Sequence, residues 1–297
     1  MSLLRGVVPM LPTPFGSDGA VDAASLCRLV SHQLEEGADG LAILGLAGEG
    51  TYLSVEERER VTAVVFEAAG GAPVLVGCTA ETTDDAARLA ADAASRGAAG
   101  VMVAPPKRPD WSSEQVRAHY RAVARAADCE LMVQDAPGFI GVELGVELVL
   151  ELAEELDNVR AYKVEALPFW ENAARARAAA GDRLRIFGGH GGLYQMDVLD
   201  SGADGLIPGA DTTAQLSRAW RAAAAGDRAR ADAEYRSLLP FLVYQMQSLG
   251  LIIGGAKTVL QARGVIATAE SRHPQAGLSE TTRERLLSLA RSAALLQ

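Results

Sequence analysis

The feature that most constrains the fold of this chain is an alternation of short apolar runs with longer amphipathic segments. Eight apolar runs stand in the first 208 of its 297 residues. From the second run onward they recur about every 21–33 residues, the spacing of a strand followed by a helix. Runs that are apolar on both faces fit parallel strands covered by helices. They occupy residues 6–9, 40–44, 73–76, 100–103, 130–133, 159–163, 184–187 and 205–208.

The segments between these runs carry signals for helix starts and helix ends. Ser54-Val55-Glu56-Glu57 and Ser112-Ser113-Glu114-Gln115 match the capping box, in which side chains satisfy free amides of the first helical turn. Gly-Ala-Asp-Gly or Gly-Ala-Ala-Gly precedes three of the runs, at residues 37–40, 97–100 and 202–205. A glycine just past a helix end, followed by a tight turn, is typical of a helix-to-strand connection.

Eight strand–helix units predict an α/β fold, a closed (β/α)₈ TIM barrel, in preference to an open doubly wound sheet, which is the alternative. After the eighth helix only helical patterns remain, at about residues 228–247, 255–263 and 280–296. We therefore expect a barrel over residues 1–225 and a C-terminal helical extension, 226–297, packed on it. The chain exceeds the roughly 250 residues of one such barrel, which leaves room for the extension.

Charge and residue usage exclude several classes of function. The net charge of −10 argues against a nucleic-acid partner, which requires clustered positive charge. The three cysteines lie far apart, and the four histidines show no HxH or HExxH spacing, so we predict neither a disulfide framework nor a metal site. No cofactor is predicted.

The hydropathy of the chain predicts no contact with a membrane. Its apolar runs are broken well before the roughly 18 residues that a membrane helix needs. Residues Met1–Arg5 lead directly into the first run, without the apolar segment and cleavage site of a secretory signal. We expect a cytoplasmic protein.

Lys163 is the first candidate for chemistry, because it alone among the lysines ends a predicted strand. The chain has three lysines beside 25 arginines. Strand alternation places Lys163 on one face with Val159 and Ala161, at the strand end where barrel enzymes carry their reactive groups. Burial favours a neutral amine, which is the form that adds to a ketone and gives an imine. The alternative is an ion pair with Glu165 or Glu49.

Three loops after predicted strands offer further candidates. Residues 45–51 form a glycine-rich loop whose backbone amides are suited to a carboxylate, although a simple turn fits the pattern as well. Residues 188–192 resemble an anion-binding start of a helix, with His190 as either a substrate contact or a solvated residue. Gln134 and Asp135 follow the fifth strand, where Asp135 is alternatively a turn former.

Taken together, these positions resemble the dihydrodipicolinate synthase/N-acetylneuraminate lyase family of class I aldolases. The family's Thr-Pro-Phe matches Thr13-Pro14-Phe15, its Gly-Glu loop matches 45–49, and its Lys-Glu-Ala region contains Lys163. The resemblance implies a barrel, commonly a homotetramer, whose lysine forms a Schiff base with pyruvate or another small-molecule 2-oxo acid. It implies catalytic roles for Lys163, Gln134 and Glu49. The substrate-binding residues that it implies are Ala47, Gly48, Gly189, His190 and Ile207.

The departures from the family pattern shape the expected reaction. The hydroxyl residues of the family's second loop are replaced by Leu46 and Ala47, and the tyrosine that ends its fifth strand is replaced by Gln134. The arginine that holds a second carboxylate in the synthase falls at Phe139 or Ile140. The run at residues 134–137, the residues around Lys163 and the glycine-rich loop at 188–192 look more like the family's sugar-acid dehydratases.

We therefore predict a Schiff-base-forming lyase that dehydrates or cleaves a 2-keto-3-deoxy sugar acid or a related compound. One alternative is a true 4-hydroxy-tetrahydrodipicolinate synthase, which condenses pyruvate with aspartate semialdehyde. A second is a barrel that binds a small acid without turnover.

Overall fold

The computed structural model describes residues 4–296 and places the predicted strands in one sheet. The sheet has eight strands in the order β1-β8-β7-β6-β5-β4-β3-β2. Met10, just after β1, forms parallel bridges with Ala42 of β2 and with Gly209, which follows β8. This order is that of the predicted (β/α)₈ barrel. The strands are β1 (Gly6–Val7), β2 (Leu41–Ile43), β3 (Val74–Gly77), β4 (Gly100–Val103), β5 (Glu130–Asp135), β6 (Val159–Val164), β7 (Arg185–Gly191) and β8 (Gly205–Pro208).

Helices follow the strands and then continue alone to the end of the described chain. Those that accompany the strands are α1 (Ala23–Glu35), α2 (Val55–Ala68), α3 (Thr83–Ser95), α4 (Ser113–Ala126), α5 (Pro137–Ile140), α6 (Val146–Glu155), α7 (Phe169–Ala180), α8 (Gln195–Asp200) and α9 (Thr213–Ala224). The last three are α10 (Arg228–Gln245), α11 (Leu249–Ala262) and α12 (Glu280–Ser292).

The helix ends show where the sequence signals were accurate. Ser54 and Ser112 both form the predicted capping boxes, at the starts of α2 and α4. Helix α11 begins earlier than the predicted residue 255, because the side chain of Ser248 accepts a hydrogen bond from the amide of Leu251 and caps it. Each predicted helix-to-strand turn has its glycine at positive φ, at Gly37, Gly97 and Gly202.

The chain divides into two compact units. Among the described residues, one comprises residues 4–5, Pro73–Gly189 and Tyr194–Leu206, and it contains β3 to β6 and the part of β7 up to Gly189. The other comprises Gly6–Ala72, His190–Leu193 and residues 207–296, with β1, β2 and α9 to α12. The boundaries of these units differ from the predicted boundary at residue 225 between barrel and helical extension. That boundary remains a prediction.

Two further expectations concern the chain ends and membranes. Met1–Leu3, part of the N-terminal stretch interpreted above, lie outside the described residues. Among residues 4–296, no helix has both the length and the apolarity needed to cross a bilayer.

Candidate active site

Lys163 lies in the first unit, near the carboxyl end of β6, and its side chain is buried. The strand is paired in parallel with β5, and in that register Gln134 is the partner of Lys163. Val159 and Ala161 are buried as well, as the predicted alternation requires. The local sequence therefore places one amine among apolar residues, with one amide opposite it.

Glu165 joins these two residues into a cluster. Gln134 Nε2 donates a hydrogen bond of 2.7 Å to Glu165 Oε2, and Lys163 Nζ lies 3.2 Å from the same oxygen. Both charged side chains are less than a tenth exposed. Gln134 Oε1 is also buried, and it has no hydrogen-bond partner among residues 4–296.

The arrangement resolves the alternative that the sequence left open for Lys163. Lys163 has Glu165 as an ion-pair partner, and Glu49 is paired with Lys257. An ion pair with the Glu165 carboxylate is compatible with imine chemistry, because the amine can still add to a ketone once it leaves the pair. Gln134, which has no acid or base function near neutral pH, orients that carboxylate.

Gly189, in β7, leaves the space that Glu165 occupies. A Cβ atom added at Gly189 would lie 2.3 Å from Glu165 Oε1 and 2.4 Å from its carboxyl carbon. Any side chain at this position would therefore displace the carboxylate from Lys163. This observation gives Gly189 a steric role beside the substrate contact that the resemblance implies.

Asp135 and Tyr162 support the ends of β5 and β6. The Tyr162 hydroxyl donates to Asp135 Oδ2 at 3.2 Å, and the amides of Leu144 and Gly145 donate to the same carboxyl group. Burial raises the pKa of Asp135, and burial beside Asp135 raises the pKa of Tyr162. Asp135 is thus an acceptor for the chain that enters α6, a role that the turn interpretation missed.

The glycine-rich loop lies in the second unit and is closed by its own hydrogen bonds. The amides of Gly48 and Gly50 donate to Gly45 O, and the amide of Glu49 donates to Leu46 O. Among the described residues, the amides of Leu46 and Ala47 donate no hydrogen bond, and both residues are partly exposed. The loop therefore offers these two amides to an anion. The amide of Gly48, a predicted substrate contact, instead donates to Gly45 O.

Glu49 is fully buried, and both of its carboxylate oxygens have partners within the second unit. Lys257 Nζ donates to Oε1, while Ser271 Oγ and the amides of Arg272 and His273 donate to Oε2 at 2.6, 2.7 and 3.0 Å. A carboxylate engaged in this way is poorly placed to exchange protons with a substrate. These hydrogen bonds favour a structural role for Glu49 over the predicted acid–base role.

The seventh loop differs from its prediction. Residues 188–191 continue β7, and α8 begins only at Gln195, so the expected anion site at a helix start does not form there. His190 has a φ of 54° and is partly exposed, and Ile207 is buried within β8. Within residues 4–296, no group of three or more His, Cys, Asp or Glu side chains is arranged to hold a metal ion.

Comparison with known proteins identifies the family of this chain. The model of the dihydrodipicolinate synthetase family matches residues 3–293. The chain belongs to this family. Its members catalyse lyase reactions, and this chain is a lyase of the dihydrodipicolinate synthetase family.

Both a dehydratase and a synthase are among the relatives that the chain resembles. It is 30% identical over 295 residues to L-2-keto-3-deoxyarabonate dehydratase from Azospirillum brasilense, covering 97% of this chain and 94% of that one. It is 36% identical over 197 residues to 4-hydroxy-tetrahydrodipicolinate synthase from a Synechococcus strain, covering 66% and 64%.

Solved structures of the synthetase family share the fold across the whole chain. Dihydrodipicolinate synthase from Rhodopseudomonas palustris aligns with a TM-score of 0.91 at 30% identity, covering 98% of both chains. A monomeric dihydrodipicolinate synthase variant aligns at 0.90 with 28% identity, covering 99% of this chain and 98% of that one. The (β/α)₈ prediction is therefore confirmed.

Proposed function

We propose that this chain dehydrates a 2-keto-3-deoxy sugar acid through a Schiff base on Lys163. The observation that carries the proposal is the cluster of Lys163, Gln134 and Glu165, in which a carboxylate lies 3.2 Å from the amine. The cluster offers a nucleophile together with one group that can both accept and return a proton. Dehydration requires these two functions.

The proposed reaction uses one carboxyl group in turn as base and as acid. The amine of Lys163 adds to the C2 carbonyl, and a water molecule leaves as the iminium forms. The carboxylate of Glu165 then removes a proton from C3, and the electron pair enters the enamine. The enamine electrons expel the C4 hydroxyl, which takes the proton back from Glu165 and leaves as water. Hydrolysis of the conjugated iminium restores the free lysine.

The residues at the matched positions disfavour the condensation with aspartate semialdehyde. That reaction needs a cationic side chain for a second carboxylate, and Phe139 or Ile140 stands where the synthase has its arginine. Gln134 replaces the proton-transferring tyrosine. The similarity to L-2-keto-3-deoxyarabonate dehydratase over 97% of the chain supports the dehydratase in preference to the synthase.

Further substrate contacts remain part of the proposal. We retain Ala47, Gly48, Gly189, His190 and Ile207, with Leu46 and Ala47 as amide donors to the carboxylate. For Glu49 we propose a positioning role. No cofactor is required, because the iminium itself withdraws electrons from C3. We also propose that the protein is cytoplasmic and forms a homotetramer.

A comparison of two substrates tests the proposal. Purified protein is assayed for loss of 2-keto-3-deoxyarabonate and, separately, for condensation of pyruvate with aspartate semialdehyde. We expect kcat/KM for dehydration to lie within the usual range of about 10⁴–10⁸ M⁻¹s⁻¹ and condensation to be slower by orders of magnitude. Efficient condensation without dehydration would establish the synthase instead.

A further inference from the structure

The connection between α11 and α12 binds to the glycine-rich loop through one buried carboxylate. Glu49 lies in that loop, and its carboxylate accepts hydrogen bonds from Ser271 and from the amides of Arg272 and His273. Lys257 of α11 is completely buried and supplies the counter-charge. The chain positions joined in this way are more than 200 residues apart.

The segment 268–273 is fixed by a second set of interactions around Phe15. Lys257 Nζ lies 4.4 Å from the centre of the Phe15 ring, and the guanidinium carbon of Arg272 lies 4.6 Å from it. Thr268 Oγ1 donates to Phe15 O at 2.6 Å. Cations held near an aromatic ring gain electrostatic attraction, so the Thr-Pro-Phe motif contributes to the same cluster.

Arg272 extends the cluster to α2. Its guanidinium donates to both carboxylate oxygens of Glu57 and to Tyr52 O. This hydrogen bonding with Arg272 lowers the pKa of Glu57 to about 2. Arg272 therefore binds the segment 50–57 at two places, the carbonyl of Tyr52 and the carboxylate of Glu57.

The conformation of the loop explains why it needs such support. Leu44, just before the loop, and Glu49, within it, both have φ near 60°, which is costly for residues other than glycine. At Gly50 an added Cβ atom would lie 2.0 Å from Leu44 O, so the loop closes on itself without spare space. Strained residues keep such conformations only where surrounding interactions hold them.

We infer that Glu49 is a positioning residue, and that Lys257 and Ser271 act through it to hold the amides of Leu46 and Ala47 in place for the carboxylate of the 2-oxo acid. The inference rests on the proposed function, in which these amides bind the substrate. It assigns the C-terminal helices a part in substrate affinity. Glu49 itself exchanges no proton with the substrate.

The test measures how pyruvate concentration controls trapping of the imine. Protein is incubated with pyruvate and sodium borohydride, and the initial rate of adduct formation on Lys163 is followed by mass spectrometry. Ser271→Ala removes one hydrogen bond to Glu49, and Ser271→Thr keeps the hydroxyl. In the double variant Glu49→Gln/Lys257→Met, no buried charge is left without its partner.

We expect Ser271→Ala to raise the half-saturating pyruvate concentration about tenfold, the effect of weakening one charge-assisted hydrogen bond to a carboxylate. The maximal trapping rate should stay near that of the wild type. Ser271→Thr should restore the half-saturating concentration, and the double variant should raise it at least as much as Ser271→Ala.

Arg263→Met is the matched control for a purely structural effect. Arg263 caps the end of α11 and pairs with Glu36, outside the cluster. The Arg263→Met variant should have a lower melting temperature and an unchanged half-saturating pyruvate concentration. An unchanged concentration in both Ser271→Ala and the double variant would overturn the inference. Absence of trapping in the wild type would instead remove the proposed function, and this inference with it.

Discussion

At the scale of single residues, Glu165 separates imine formation from proton transfer. In Glu165→Gln the side chain keeps its shape but loses its basicity, so the lysine still forms the imine while C3 keeps its proton. We expect kcat for dehydration to fall about 10²–10⁴-fold, the usual contribution of a general acid–base. Borohydride trapping with pyruvate should persist.

Glu151→Gln provides the control for this change of charge, because Glu151 is exposed and pairs with Arg117 on the surface. It should leave kcat unchanged. If Glu165→Gln retains more than a tenth of the wild-type turnover, another group transfers the proton.

Asp211 should make stability depend on pH. It follows β8 and is fully buried, with Gln245 donating to Oδ2 at 2.6 Å and no hydrogen-bond partner for Oδ1 among the described residues. Burial raises its pKa from 3.8 to about 6. The folded state therefore holds the proton more tightly than the unfolded state, and stability falls as pH rises from about 4 to 6.

Asp211→Asn removes this titration and keeps an acceptor for Gln245. We expect the free energy of unfolding of the variant, relative to the wild type, to increase by up to about 3 kcal/mol between pH 4 and pH 7. Urea unfolding at the two pH values measures it. An identical difference at both values would show that Asp211 has an ordinary pKa.

At the scale of elements, the Gly-Ala-Asp-Gly turns use their aspartates in the same way in both units. Asp39 accepts from the amide of Val7, and Asp204 accepts from the amide of Ile186. An arginine also pairs with each: Arg221 with Asp39 and Arg177 with Asp204. The turn is thus also an anchor for the neighbouring strand.

Asp204→Ala should test this anchor. The variant loses the hydrogen bond from the amide of Ile186 and the ion pairs with Arg177 and Arg5, at a side chain that is 8% exposed, so we expect a loss of about 2 kcal/mol in the free energy of unfolding. Asp182→Ala is the control, because Asp182 also pairs with Arg177 but is fully exposed; its free energy of unfolding should stay close to that of the wild type. Equal losses would refute a specific anchor.

The elements themselves were largely predictable, because local periodicity and capping residues determine them. The capping boxes of α2 and α4 and the position of Lys163 at the end of β6 followed from neighbouring residues. The partners of Glu49 did not, since Ser271 lies 222 positions away in an irregular connection without periodicity. The prediction of a helix start at residues 188–192 was wrong, because β7 continues to Gly191 and α8 begins only at Gln195. Nothing in the local sequence pattern indicates that the strand extends so far.

At the scale of the whole molecule, the expected assembly is a homotetramer. The expectation comes from the family resemblance, and one solved relative is a monomeric dihydrodipicolinate synthase variant. Light scattering at micromolar protein concentration measures the mass directly. A mass of about four times 31.1 kDa is the predicted result, and a single species of 31.1 kDa would refute it.

Imine formation at Lys163 can be detected by borohydride reduction in the presence of pyruvate. The chain has only two other lysines, Lys107 and Lys257, so peptide mapping identifies the modified residue without ambiguity. We expect a reduced pyruvyl adduct on Lys163 and none in Lys163→Arg, whose guanidinium cannot form the imine. No adduct in the wild type, or an adduct on another lysine, would contradict it.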